Sequence, residues 1–259
     1  MRWNIDPVLI DFGPIAIRWY GFFVVIGLLT AISVLDRTFK QRGFPKEHAH
    51  ALSLWLPIGM ILGAHLGHLL FYEPSSFIHN PRRIIEIGYG LASHGGGIGV
   101  FLALWIFCRR KKVNFAGYLD ASVVAAVWLF PWFRIGNFFN SEIYGGPTQL
   151  PWGIVFVREN LVEPRHPTQL YEALLCFGVA LLGWWLNRRR DRYQPGYIFC
   201  AMMLVYFSGR FLIEFTKIYQ ALPTDFPLRM GQILSLPLIL IFGFLLVRLH
   251  RQGRPQDAG

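Results

Sequence analysis

The stretch Pro14-Ile-Ala-Ile-Arg-Trp-Tyr-Gly-Phe-Phe-Val-Val-Ile-Gly-Leu-Leu-Thr-Ala-Ile-Ser-Val-Leu35 runs straight into Asp36-Arg37, with Lys40, Arg42 and Lys46 close behind. A helix that crosses a bilayer needs about 20 mainly apolar residues, and a basic cluster directly after such a run marks the cytoplasmic side. Working outward, runs of the same kind recur at 51–72, 90–108, 117–136, 167–187, 196–215 and 230–249. Composition agrees: 54% of the residues are apolar and only 15% charged, against roughly 25% charged in an ordinary soluble domain. Apolar runs spread along the whole chain exclude a soluble domain on a single anchor. The expected fold is all-α and polytopic: seven transmembrane helices forming one transmembrane domain over residues 1–259.

Charge placement sets an orientation. Arg37, Lys40, Arg42 and Lys46 follow the first run, Arg109 to Lys112 the third, Arg188, Arg189, Arg190 and Arg192 the fifth, and Arg248, Arg251 and Arg254 the last. These clusters alternate with connections that lack them, which puts the C-terminus in the cytoplasm and the N-terminus outside. Arg82 and Arg83 fall on the outer side. The net charge of +10 would point to nucleic acid only if the basic residues lined one soluble face, so no nucleic-acid partner is expected. Cys108, Cys176 and Cys200 fall in or beside apolar runs without ligand or pairing spacing, the pattern of small buried residues; neither metal nor cofactor is expected. Met1 to Asp11 shows no small-residue cleavage site, so no removable signal peptide is read there. Its mix of apolar and acidic residues suits a segment lying at the interface. Residues 141–166 carry Gly145, Gly146, Pro147, Pro151 and Pro164 around the apolar run Trp152–Val157, and are expected to form a small extracytoplasmic cap.

The informative residues are the polar ones inside the outer halves of the runs. Tyr206, Arg210, Glu214 and Lys217 are spaced four, four and three apart, one face of a helix. An internal Arg210–Glu214 pair is the bland explanation. Arg134 ends the fourth run, and if that helix persists to 141, Arg134, Asn137 and Ser141 share a face. Two guanidinium groups at one depth repel unless an anion lies between them, and a phosphate is a natural bidentate partner. Ser93-His94-Gly95-Gly96-Gly97 opens the third run; successive glycines weaken a helix but let a backbone or substrate approach, and a neutral His94 can accept a proton. Tyr20 offers a phenolic hydroxyl or simply an interfacial anchor. Gln169 and Glu172 start the fifth run, where they could support the site residues from behind, although capping and anchoring are the simpler explanation. His65 and His68 resemble a metal pair without further ligands, and packing histidines are the simpler reading. A channel or transporter for an anionic solute would continue polar residues through the cytoplasmic half, which this chain does not do.

Arg134-Ile-Gly-Asn-Phe-Phe-Asn-Ser-Glu142-Ile-Tyr-Gly145 closely resembles the signature of the bacterial prolipoprotein diacylglyceryl transferases, G-R-x-G-N-F-x-N-x-E-x-x-G. Trp19-Tyr20-Gly21, His94-Gly95-Gly96, Arg165-His-Pro-Thr-Gln-Leu-Tyr-Glu172, Tyr206-x-x-x-Arg210-Phe-x-x-Glu214-Phe and Met230-Gly-Gln-Ile-Leu-Ser235 agree with the same family, over about Asp6 to the last run. The resemblance implies a seven-span inner-membrane enzyme with its active site toward the periplasm. It implies phosphatidylglycerol as donor and the lipobox cysteine in a prolipoprotein signal peptide as acceptor, giving a thioether and glycerol phosphate. By motif, Arg134 and Arg210 would hold the phosphate and His94 would be the base. Tyr20, Gly95, Gly96, Asn137, Asn140, Glu142, Gly145, Tyr206 and Glu214 would line or shape the substrate site. The substrate thiol, with an ordinary pKa near 8.5, is itself the nucleophile.

The chain departs from the pattern in three places. Pro131-Trp132-Phe133 stands where glycines are usual, Gly63-Ala64-His65 replaces Gly-Gly-Arg, and Lys217 replaces an arginine. These changes leave open a divergent paralogue, or a pseudoenzyme that binds anionic phospholipid and transfers nothing.

Overall fold

The computed structural model describes residues 1–253 apart from 15, 75–79, 81, 83–84, 87–89, 91 and 219–226. Ile15, Arg83, Leu91 and Arg254, used above in the reading of spans and loops, lie outside the described residues. The helices are α1 (Trp19–Gln41), α2 (Lys46–Tyr72), α3 (Ser93–Lys111), α4 (Phe115–Ala126), α5 (Leu129–Phe139), α6 (Thr168–Asn187), α7 (Tyr197–Glu214) and α8 (Met230–Arg251). Every predicted run therefore contains a helix. Among the described residues, six helical segments are long and apolar enough to cross a membrane, α4 and α5 together counting as one. The six do not include α3. Its apolar stretch is short, because His94 and three glycines open it and Arg109, Arg110 and Lys111 close it.

The chain is mostly helical, as the all-α expectation has it, with a few short strands beside the helices. Among the described residues these are β1 (Arg2–Trp3), β2 (Val8–Asp11), β3 (Ala16–Arg18) and β4 (Val155–Phe156). β2 pairs antiparallel with β3 and β1 parallel with β4. The first helix consequently starts at Trp19 instead of 14. Gly13, at φ +82°, supplies the left-handed residue that the turn between β2 and β3 uses.

The described residues form two compact units, Met1–Val34 with Ser122–Gly259, and Leu35–Ala121. In the first, Val124, Val127, Val179, Ala180, Ile198 and Met202 form a buried core from α4, α6 and α7. Gly183 makes room there for the Met202 thioether, which an added Cβ would meet at 2.6 Å. A smaller apolar cluster joins Phe138 to Ile154 and Phe156, with Trp3 and Tyr144 against it, so that the loop after α5 has a core of its own.

The fourth predicted run is broken in two. Pro131 has no N–H for the Val127 carbonyl, and its ring crowds that carbonyl. Phe130 N–H donates to Val127 O at 3.3 Å instead, and Trp128 N–H to Ala125 O at 3.2 Å. The two tight turns set α5 off as a separate helix of 11 residues.

In the second unit α2 packs on α3 along a glycine seam. Gly59 and Gly63 face Gly99 and Gly95 so closely that a Cβ on either Gly63 or Gly95 would strike the other's carbonyl oxygen. Small residues four apart allow this approach of helix backbones. The Ala92 N–H donates to the Ala64 carbonyl at 2.9 Å and ties the start of α3 to α2.

Candidate active site

α5 carries Arg134 and Asn137 three residues apart on one face. The Arg134 Nη1 donates to Asn137 Oδ1 at 3.3 Å, and Asn137 Nδ2 donates to Glu142 Oε1 at 2.9 Å. Asn140 Nδ2 reaches the same Glu142 oxygen at 3.3 Å. Four of the residues singled out from the sequence are thus one network. Gly136 lies under Tyr20, whose ring an added Cβ would meet at 2.9 Å. Phe133, the bulky departure from the family pattern, stacks on Tyr20 with ring centroids 6.2 Å apart and planes at 8°.

The helix does not persist to 141; it stops at Phe139. Ser141 adopts φ +57°, its N–H donates to Phe138 O at 3.0 Å, and Glu142 N–H donates to Asn137 O at 3.1 Å. This is the Schellman arrangement, usually built on glycine, so a serine gave no sequence signal for it. Ile143 is also left-handed, at φ +60°, an unfavourable conformation for a β-branched residue. The start of α6 holds this loop: Gln169 Nε2 donates to Glu142 O at 2.6 Å and Thr168 Oγ1 to Ile143 O at 2.7 Å. Gly145 is packed against Thr216 O, with Thr168 Cγ2 and His166 Cβ within 2.8 Å of any added Cβ, and its N–H donates to His166 O at 2.8 Å. No side chain fits there.

Glu172 is the centre of the site. Its carboxylate takes Arg134 Nε on Oε2 at 2.7 Å, and Arg210 Nη1 at 3.1 Å and Lys217 Nζ at 2.5 Å on Oε1. The Glu172 side chain is 4% exposed, whereas those of Arg134 and Arg210 are 25% and 29% exposed. The anion is therefore buried beneath two guanidinium groups whose outer edges stay open. A carboxylate stripped of water survives only with such partners. Arg210 reaches α6 and not Glu214, so the bland internal pair read from α7 alone does not form. Glu214 instead pairs with Lys217 at 3.6 Å, its carbonyl accepts from Arg229 Nη1, and its carboxylate lies over Gly231, where a Cβ would collide with it. The Tyr206 hydroxyl, one turn before Arg210, lies against the Arg210 guanidinium.

The sequence understated Glu172, for which a supporting role at the site ranks behind capping and anchoring. The signal was present: two arginines in apolar runs require an anion, and Glu172 is the one carboxylate in the run 167–187. His94, Gly95 and Gly96 belong to the second unit. His94 is exposed in the first turn of α3, and Gly95 packs against α2. His65 is buried, and His68 Nε2 lies 3.2 Å from Glu73 Oε1.

Fold and site together define a multi-span helical membrane protein whose spans gather basic side chains around a buried carboxylate. The family model for prolipoprotein diacylglyceryl transferase matches residues 7–248. A phosphatidylglycerol–prolipoprotein diacylglyceryl transferase from Tolumonas auensis is 41% identical over 241 residues, covering 92% of this chain and 93% of that one. Those of Chloroherpeton thalassium and Porphyromonas gingivalis are 38% and 36% identical, covering 95% and 96% of this chain and 92% and 94% of theirs. The chain belongs to the prolipoprotein diacylglyceryl transferase family.

Proposed function

We propose that this protein transfers the diacylglyceryl group of phosphatidylglycerol to the lipobox cysteine thiol of prolipoproteins, forming a thioether and releasing glycerol phosphate. The protein works in the bacterial inner membrane as a single transmembrane domain of seven spans. Its N-terminus and active site face the periplasm, its C-terminus faces the cytoplasm, and residues 141–166 form a small periplasmic cap. The observation that carries this reading is the convergence of Arg134 and Arg210 from two helices on one anion.

The thiol loses its proton to a base, assigned to His94. The thiolate attacks the glycerol carbon that bears the phosphate ester. As the C–S bond forms the C–O bond breaks, and its electron pair leaves on the phosphate. Negative charge grows on the leaving phosphate, and positioned guanidinium groups stabilise such charge more in the transition state than in the ground state. Arg134 and Arg210 are preset for this by Glu172, so their open edges need not reorganise when a headgroup arrives. Tyr20, Tyr206, Asn137, Asn140, Glu142, Gly145 and Glu214 shape the site, as do Gly95 and Gly96. Lys217 keeps a positive charge on Glu172 where the family has arginine, and the Phe133 ring is accommodated on Tyr20; both departures are compatible with activity.

The test is incubation of the purified protein with phosphatidylglycerol and a lipobox peptide. The expected result is glycerol phosphate release matched by the mass gain of a diacylglyceryl group on cysteine. A folded sample that retains phosphatidylglycerol yet releases nothing would reassign the protein as a lipid-binding pseudoenzyme.

A further inference from the structure

Arg134, Glu172 and Arg210 sit near the end of α5, the start of α6 and the end of α7. The interior of the membrane therefore lies toward the middle of these spans. A phospholipid whose phosphate meets the open edge of Arg134 sends its acyl chains that way. Phe130 stands four residues before Arg134, one turn further in on the same helix face, and is 45% exposed.

Phe130 is the outer end of a row of rings. It meets Phe133 edge-on, with centroids 6.4 Å apart, and Phe133 stacks in turn on Tyr20 at 6.2 Å, both within the range of favourable aromatic pairs. Tyr20 covers Gly136 and interacts electrostatically with Arg134 and Glu142. The row thus runs from the arginine site to the exposed surface of α5. Its middle member is the residue that the family signature has as glycine. Phe133 is half-buried and held by a ring on either side, so it is a fixed wall beside Arg134, in space that a glycine leaves empty.

We propose that Phe133 selects among lipid donors, admitting those with straight acyl chains and rejecting those branched next to the ester. A straight chain lies flat along the rings. A methyl branch close to the ester carbonyl falls beside the glycerol, at the level of Arg134, where the Phe133 ring already fills the space. Packed side chains cannot yield to an extra methyl group without strain. The wall follows from the ring row; the choice of a phosphatidylglycerol donor rests on the transferase reading.

The test compares dioleoyl phosphatidylglycerol with diphytanoyl phosphatidylglycerol, whose chains carry a methyl branch close to the ester, using the purified full-length protein and a lipobox peptide. The wild type should favour the straight-chain donor in kcat/KM by at least about tenfold, the scale on which a pocket senses one methyl group. Phe133→Ala removes the ring without loosening the helix and should cut that preference to about twofold or less by improving use of the branched donor. Equal use of both donors by the wild type, or an unchanged ratio in folded Phe133→Ala protein, would overturn the proposal. Should that variant fail to fold, Phe133→Leu replaces it: a lowered ratio supports the wall, and an unaltered one refutes it. Tyr20→Phe keeps the stack and loses the hydroxyl, so it should slow both donors alike; a ratio shifted as far as in Phe133→Ala would take the selection away from Phe133. Displacement of a fluorescent phosphatidylglycerol by the two lipids reads the same preference without turnover. A protein that transfers from both donors equally sinks this inference alone, and one that discriminates in binding through Phe133 but transfers nothing sinks only the transferase reading.

Discussion

Arg134 and Arg210, from different helices, grip opposite oxygens of a single carboxylate, that of Glu172, at 2.7 and 3.1 Å. Like charges that would repel in an apolar medium are thereby held side by side without substrate. This makes Glu172 a positioning residue: it orders the guanidinium groups while lying too deep to meet a headgroup itself.

Glu172→Gln should therefore damage both stability and transfer. Removing one member of a buried ion cluster costs about 3–5 kcal/mol when its partners stay dry, and the part-exposed arginines bring the expectation to the lower end, on the order of 3 kcal/mol. Denaturant unfolding in detergent micelles measures the first effect and glycerol phosphate release the second. Adding Lys217→Met should recover part of the stability and none of the transfer. Wild-type transfer by Glu172→Gln would remove Glu172 from its positioning role.

Arg134→Lys and Arg210→Lys keep the charge and lose the planar fork. A lysine at 134 cannot serve both the Glu172 and the Asn137 contacts that Nε and Nη1 make. Each variant should insert and purify normally but lose roughly 100-fold or more in kcat, the scale of removing one donor from a developing charge. A fully active variant at either position would refute the phosphate role for that residue.

His94→Gln separates proton removal from phosphate binding. Activity should fall and the rise of rate with pH should shift to the range in which the peptide thiol ionises by itself, near pH 8.5. The pH–rate profile at saturating phosphatidylglycerol measures this, and an unaltered profile means that another group takes the proton.

Gly95 and Gly97 look equivalent in the sequence and are not so in space. A methyl group on Gly95 would strike the Gly63 carbonyl, while nothing lies within 4 Å of one on Gly97. Gly95→Ala should destabilise α2–α3 packing by about 1–3 kcal/mol, the usual range for overpacking, and Gly97→Ala should be neutral or slightly stabilising. Thermal melts of the two single variants decide the point.

These residues also show what the sequence could disclose. Long apolar runs and alternating basic clusters made each helix legible, because bilayer thickness and charge placement act on the chain locally. The network of Arg134, Asn137, Asn140 and Glu142 was legible as a motif. The partner of the two arginines was not: Glu172 sits at the start of a span, where capping explains a carboxylate equally well, and only tertiary packing joins it to α5 and α7. The strands were hidden for a similar reason, since pairing of two to four residues leaves almost no periodicity to read. The end of α5 was left open in the sequence because Ser141 fills a position where glycine would have announced the stop.

In the loop from Ser141 to Ile143 the first and last residues are left-handed, and the Schellman bonds, together with Thr168 and Gln169, hold them so. An isoleucine resists that shape, so the chain holds it only because folding already supplies the restraints. An arriving lipid or peptide then meets a contour that is finished beforehand, and little of its binding free energy is diverted into ordering a flexible segment.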